Sequence, residues 1–257
     1  MTKLALVTGA SSGIGRAFAE RLAADGYDLV AVGRRRDRLE ELAASVTDVK
    51  VQTLVADLST DEGIEEVAGV CASQPLSMLV NNAGVAHYMR ISQLPADKAD
   101  EVVHVKVVAP TMLIHAAVPG MIERGDGTII NVAGMIAFSG PAPNAQGRAA
   151  YAGTLAHLVA MTQALHEELK SERLKVQVVC PGIVATEFHE RQGFDLSAVP
   201  RMSARDVVRA SLRGLEVGEV VCAPGVEEAS LLQAVFQADL AAFGGQSPEL
   251  AERYRTD

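Results

Sequence analysis

The chain has 257 residues, 49% hydrophobic and 21% charged, with a mass of 27.1 kDa. This composition supports a sizeable core and argues against disorder and against a disulfide scaffold. A net charge of −9 and aromatics of only 4% argue against a nucleic-acid binder or a single-strand stacking platform.

Cys71, Cys180 and Cys222 lie far apart and form no CxxC, which fits a reducing cytoplasm. The opening apolar run is too short for a signal sequence. No stretch reads as the roughly 18 consecutive apolar residues of a membrane span. The expectation is a soluble, cytoplasmic protein with no membrane or nucleic-acid partner.

In chain order, apolar runs alternate with amphipathic segments. Residues 4–8 read as a first strand, 15–25 as a helix and 28–32 as a second strand. A helix follows over 36–46, a strand over 51–56, a helix over 60–72 and a strand over 78–81. A long helix lies within 96–123, then a strand over 128–132, a helix over 149–171 and a strand over 175–180. Residues 220–223 read as a seventh strand. Continuous apolar strands alternating with helices predict an α/β fold, a doubly wound parallel sheet with ligands at the carboxyl ends of its strands.

No linker or repeat divides residues 1–257, so a single domain is expected. Residues 186–215 lack strand periodicity, and Thr186, Phe188, Phe194 and Pro200 suggest a substrate loop. Residues 226–257 read as a C-terminal helical segment, with Leu231, Leu232, Val235, Phe236, Leu240 and Phe243 at helical spacing.

The first strand runs into Gly9, Ala10, Ser11, Ser12, Gly13, Ile14 and Gly15, then straight into a helix. Glycines let backbone amides approach a pyrophosphate, and the helix N-terminus favours negative charge. An ordinary turn could use the same glycines, but not so readily between the first strand and first helix. The second strand ends at Arg34, Arg35 and Arg36, where a site choosing NAD would want a carboxylate. Guanidiniums there suit a 2′-phosphate and point to NADP(H), although a solvated helix start would also be charged.

The stretches TGASSGIG at 8–15, ADL at 56–58, NNAG at 81–84 and PGIVAT at 181–186 make the chain resemble the short-chain dehydrogenase/reductase family. The resemblance covers roughly residues 3–225. It implies a Rossmann fold and carbonyl/alcohol oxidoreduction. Asp57 and Leu58 would contact adenine. Asn81, with Ala83 and Gly84, would support the ribose region. Pro181, Gly182, Val184 and Thr186 would hold the nicotinamide carboxamide. It also implies a homodimer or homotetramer acting on a small-molecule substrate.

The family's Asn–Ser–Tyr–Lys tetrad is altered. Tyr151 stands at the Tyr position and is the expected proton donor and acceptor. Leu155 replaces the Lys four residues later, on the same helical face. Gly134 falls at the Ser position and Lys106 at the Asn position.

Three readings stay open. Lys106 could supply the missing charge and Ser139 the missing hydroxyl, which keeps an oxidoreductase. Tyr151 and Lys106 could instead do acid–base chemistry in an isomerase, dehydratase or lyase. Or the chain could bind NADP(H) silently, as a sensor. An exposed Lys106 and an ordinary loop Ser139 are the plain alternatives, but the valines around Lys106 suggest burial, which would demand a partner.

The six histidines show no metal-ligand spacing, so no metal is expected. His87 could line the substrate side. Ser11 and Ser12 lack a GxSxG elbow, which disfavours a serine hydrolase.

Overall fold

The computed structural model describes residues 3–143 and 146–255. Strands β1 (Leu4–Thr8), β2 (Asp28–Gly33), β3 (Val51–Val55), β4 (Leu76–Asn81), β5 (Thr128–Val132), β6 (Lys175–Val179) and β9 (Val221–Cys222) form one sheet. Their order is β3-β2-β1-β4-β5-β6-β9, and every pairing is parallel. This is the expected doubly wound Rossmann architecture. The chain winds outward from β1 to β3, then crosses back to lay β4 beside β1. The crevice at that reversal is where such sheets bind ligands.

The strands are continuous apolar runs because both faces are covered. Along β1, Leu6 and Val7 point to opposite faces. Val7 joins Phe18 and Leu22 of α1 (Gly13–Ala24) and Leu39 and Leu42 of α2 (Arg36–Ser45) in one core. Leu6 joins Val67 of α3 (Asp61–Ser73) and Leu113 and Met121 of α5 (Ala109–Arg124) in the other.

Helix α4 (Ala96–Val103) continues into α5 through a π-helical turn at His104–Val108, where Ala109 N–H donates to the His104 carbonyl. The sequence reads as one uninterrupted helix here, because the run HVKVV holds neither Gly nor Pro. The joined helices span 29 residues and are long and apolar enough by composition to cross a bilayer. That corrects the expectation that no stretch qualifies. The physical reason is that α5 is a core helix, with Leu113, Ile114, Ala117 and Met121 buried against the sheet.

Helix α6 (Ala149–Glu168) precedes β6. After β6 comes a short excursion through β7 (Val184–Ala185), α7 (Phe188–Arg191) and β8 (Met202–Ser203). Its base is closed by the β7–β8 parallel pair, with Val184 opposite Met202. Residues 186–215 are therefore not a loop throughout. Helix α8 (Ala204–Val217) occupies the second half, started by Ser203, whose hydroxyl accepts from Asp206 N–H.

The chain divides into two compact units, Met1–Pro224 and Gly225–Asp257. The sheet lies wholly in the first, where the sequence reading put one domain over 1–257. The second holds α9 (Ala229–Gly244), none of whose residues is buried.

Candidate active site

The crevice between β1 and β4 opens into a cavity of about 500 Å³. Thr8 ties the two strands together at its floor. Its hydroxyl donates to Val80 O at 3.3 Å and accepts from Asn82 and Ala83 N–H at 2.9 and 3.0 Å. The Asn82 amide returns the contact by donating to Thr8 O at 3.0 Å. The next residue, Gly9, turns at φ +67°, and Gly13 at φ +55°, a left-handed region that costs an L side chain energy. A Cβ on Gly15 would lie 2.3 Å from Gly9 O, so only glycine lets α1 pack this hard against the loop. Ser12 is the N-cap of α1 but makes no side-chain cap, which leaves first-turn amides for an anion.

Beside this loop stand the arginines of β2's end. Arg34 Nη1 lies 3.7 Å from both Asp57 Oδ2 and Glu101 Oε1. Burial works to raise the Asp57 pKa, but hydrogen bonds from Ser59 and the charge of Arg34 outweigh it and hold it low. Arg35 Nη2 donates to Glu187 Oε1 at 2.8 Å and to Ser11 Oγ at 3.3 Å.

At the other end of the cavity sits Tyr151, in the first turn of α6 and 7% exposed. Burial, with a smaller contribution from Tyr88, pushes its phenol above the usual tyrosine range. Leu155, one turn on, is 1% exposed and lines the same wall. Lys106 is buried, from the middle of the π turn, and Nζ donates to Val132 O at 3.0 Å. Burial lowers its pKa to about 8. The plain alternative of an exposed Lys106 is thereby excluded.

Ser139 lines the cavity, but its hydroxyl donates to Ile136 O at 2.6 Å and closes a 3₁₀ turn. A hydroxyl has one proton to give, so Ser139 keeps only acceptor capacity in this arrangement.

Aromatic rings wall the cavity near Tyr151. Tyr88 meets Tyr151 edge-on at 5.7 Å and Phe194 at 5.3 Å, and it stacks on His189 at 6.4 Å. Phe188 stacks on Tyr151 at 6.3 Å. His189 Nδ1 is buried without a hydrogen-bond partner.

Nearly all the residues expected at a cofactor site meet on this cavity's wall, from Gly9 to Thr186, together with Tyr151, Lys106 and Ser139. Gly15 and Asn81 stand behind it. Asn81 Nδ2 donates to Asn131 Oδ1 at 2.9 Å, and Asn131 Nδ2 donates to Thr162 Oγ1 at 2.9 Å, so Asn81 braces β4 against β5 and α6. His87 does not reach the wall, because its Nε2 pairs with Glu101 Oε2 at 2.9 Å. Sequence reasoning missed Glu101 and Arg191 on the wall. Neither left a sequence signal: the π turn at His104–Val108 beyond Glu101 has no marker residue, and Arg191 lies in an irregular stretch.

A short chain dehydrogenase family model matches residues 3–195. The fold superimposes on a short-chain dehydrogenase from Sphingobium yanoikuyae in complex with NADPH. The TM-score is 0.92 and the identity 32%, over 98% of this chain and 100% of that one. The bulky-bulky ketone specific alcohol dehydrogenase from Comamonas testosteroni matches with a TM-score of 0.89 and 30% identity, over 99% of each chain. The inactive hydroxysteroid dehydrogenase-like protein 1 of Homo sapiens is 32% identical over 196 residues, 74% of this chain and 58% of that protein. With its glycine loop, parallel sheet and Tyr151 on one cavity, the chain belongs to the short-chain dehydrogenase family of oxidoreductases.

Proposed function

We propose that the protein interconverts a carbonyl compound and its alcohol using NADP(H), with Tyr151 as the proton donor and acceptor and Lys106 as the cation of an altered tetrad. The observation that carries this reading is that Tyr151, Lys106 and the phosphate loop line one cavity.

The residues present fit the cofactor. The left-handed Gly9 and Gly13 shape a cradle for a pyrophosphate. Arg34 and Arg35 at the end of β2 offer forked donors to a 2′-phosphate, and Asp57 and Leu58 line the adenine end. When bound, the nicotinamide supplies or accepts a hydride.

The chain's own work is done by protons and charge. Burial keeps the Tyr151 phenol protonated at neutral pH, so it is poised to give its proton to a carbonyl oxygen. Lys106, with a pKa lowered to about 8, still carries its charge at pH 7 and places it in a site that Leu155 leaves apolar. Ser139 must break its bond to Ile136 O before it can donate to a substrate, so the proposal rests on Tyr151 and Lys106. The walls near Tyr151 are the rings of Tyr88, Phe188 and His189, which favour an uncharged, bulky carbonyl substrate. The bulky-ketone activity named for the Comamonas testosteroni relative supports the same class.

The proposal includes a reducing cytoplasm, where the buried free thiols Cys71, Cys180 and Cys222 persist. It also includes a homodimer or homotetramer, with Val103, Met112 and Ile122 exposed along α4 and α5.

Fluorescence titration with NADPH and NADH, followed by absorbance of the reduced cofactor with a panel of bulky ketones and alcohols, tests this. Tight NADPH binding with oxidation is expected. Binding without oxidation would favour a second reading, for which the buried Leu155 speaks: acid–base chemistry without net hydride transfer, as in an isomerase, dehydratase or lyase, or a silent NADP(H) sensor. No binding would overturn both.

A further inference from the structure

Glu187 lies between Thr186 and the short helix α7, and two guanidiniums grip it. Arg35 Nη2 donates to its Oε1 at 2.8 Å, and the Arg191 guanidinium donates to the same oxygen. Arg191 Nη2 further reaches Ser12 Oγ at 3.5 Å, and Arg35 Nη2 reaches Ser11 O at 3.4 Å. Two guanidiniums thus converge on one carboxylate and reach the phosphate-loop serines with the same arms, although residues 35 and 187 are 152 positions apart.

This donor set does not match one carboxylate. Two cations face a single negative charge, and forked guanidiniums beside a hydroxyl suit a phosphate monoester, which carries close to two charges at neutral pH. Arg35 and Arg191 both line the cavity. They also oppose each other: burial and the neighbouring Arg35 lower the Arg191 pKa, and the Glu187 charge works against that. A third anion-binding group therefore reaches the end of β2 from the excursion after β6, and its counter-ion travels on the same segment.

The geometry points to Arg191 as a further binding residue for the 2′-phosphate of NADP(H), held against Arg35 by Glu187 until the phosphate takes both guanidiniums. The inference rests on the NADP(H) reading above. It makes α7 part of the cofactor site, so phosphate binding and the position of α7 are one event. The pair of arginines carries a net charge of +1 while Glu187 shares them and +2 once the carboxylate lets go, and a phosphate dianion prefers the second state.

Equilibrium binding of NADPH and NADH, read by fluorescence without any substrate, tests this on the full chain. Arg191→Gln raises the NADPH Kd about tenfold and leaves NADH unchanged, while Arg191→Lys keeps part of the NADPH affinity. Glu187→Gln lowers the NADPH Kd roughly threefold, because the competing charge is gone, and also leaves NADH unchanged. Thermal melting without nucleotide confirms that each variant is folded, and NADPH shifts the melting of Glu187→Gln further than that of the wild type. If Arg191→Gln changes both nucleotides equally or neither, or if Glu187→Gln weakens NADPH, the inference is overturned. Wild-type preference for NADPH alongside an unresponsive Arg191→Gln would sink this inference alone, whereas wild-type binding of neither nucleotide would sink the NADP(H) reading with it.

Discussion

Lys106 Nζ donates a 3.0 Å hydrogen bond to the carbonyl oxygen of Val132, the last residue of β5. The bond holds a cation on the cavity wall, in a helix that otherwise packs as core. It is the one protein contact that compensates this buried ammonium among the hydrogen bonds described.

Replacing Lys106 by Ala is expected to lower kcat by at least about a hundredfold while NADPH binding persists. Steady-state kinetics alongside fluorescence titration separates the two. An unaffected rate would remove Lys106 from the proposed machinery.

The same residue predicts a pH dependence of stability. Its folded pKa of about 8 lies below the ordinary 10.5. Below pH 8 both states hold the proton, and the fold bears the full cost of burying the charge. As pH rises from about 8 toward 10.5 the unfolded chain holds more protons than the fold, so stability rises across that window. Lys106→Met removes this rise and is more stable than the wild type at pH 7 by roughly 1–3 kcal/mol, the lost bond to Val132 O offsetting part of the gain. Urea denaturation of both proteins at pH 7, 9 and 10.5 measures the difference; parallel curves would contradict it.

Gly134 leaves room for a side chain, so two of the three altered tetrad positions can be restored together. A Cβ on Gly134 would meet Leu155 Cδ1 and Pro181 O at 3.5 Å, ordinary contact. The double change Gly134→Ser with Leu155→Lys is expected to raise NADPH oxidation with a simple ketone. No gain in rate or in cofactor affinity would show that the pocket is shaped for other chemistry.

Away from the cavity, Asn131→Ala breaks the chain from Asn81 through Asn131 to Thr162. It leaves the buried Asn81 amide without its partner, while Thr162 still donates to Leu158 O, and is expected to cost about 1–3 kcal/mol in chemical denaturation. A loss under about 0.5 kcal/mol would mean that the neighbours find new partners.

Much of this was legible in the sequence, for physical reasons. Strands β1 and β5 stand where they are read because a strand buried on both faces is an unbroken apolar run. Gly9 and Gly13 were legible because their backbone conformation admits little else. Helix α8 carried its own signal, Val207, Val208, Leu212 and Leu215 at helical spacing behind the Ser203 cap, but the irregular stretch before it masked where it begins. The grip of Arg35 and Arg191 on Glu187 left no local trace, since it joins segments that only folding brings together. Ser139 was legible as a hydroxyl but not as one already committed to Ile136 O, because that bond belongs to a 3₁₀ turn with no marker residue.

The π turn at His104–Val108 has a geometric consequence for the whole cavity. In a straight α-helix, residues five apart point about 140° away from each other. Glu101 and Lys106 are five apart, yet both line the cavity, one near Arg34 and the other near Val132. The wide turn, with its i to i+5 bonding, brings residues at that spacing onto a common side. Wound as a regular α-helix, the same residues would swing the ammonium and the carboxylate out of phase. The helix thus works as a two-toothed key, and its bite is set by one extra residue in the shaft.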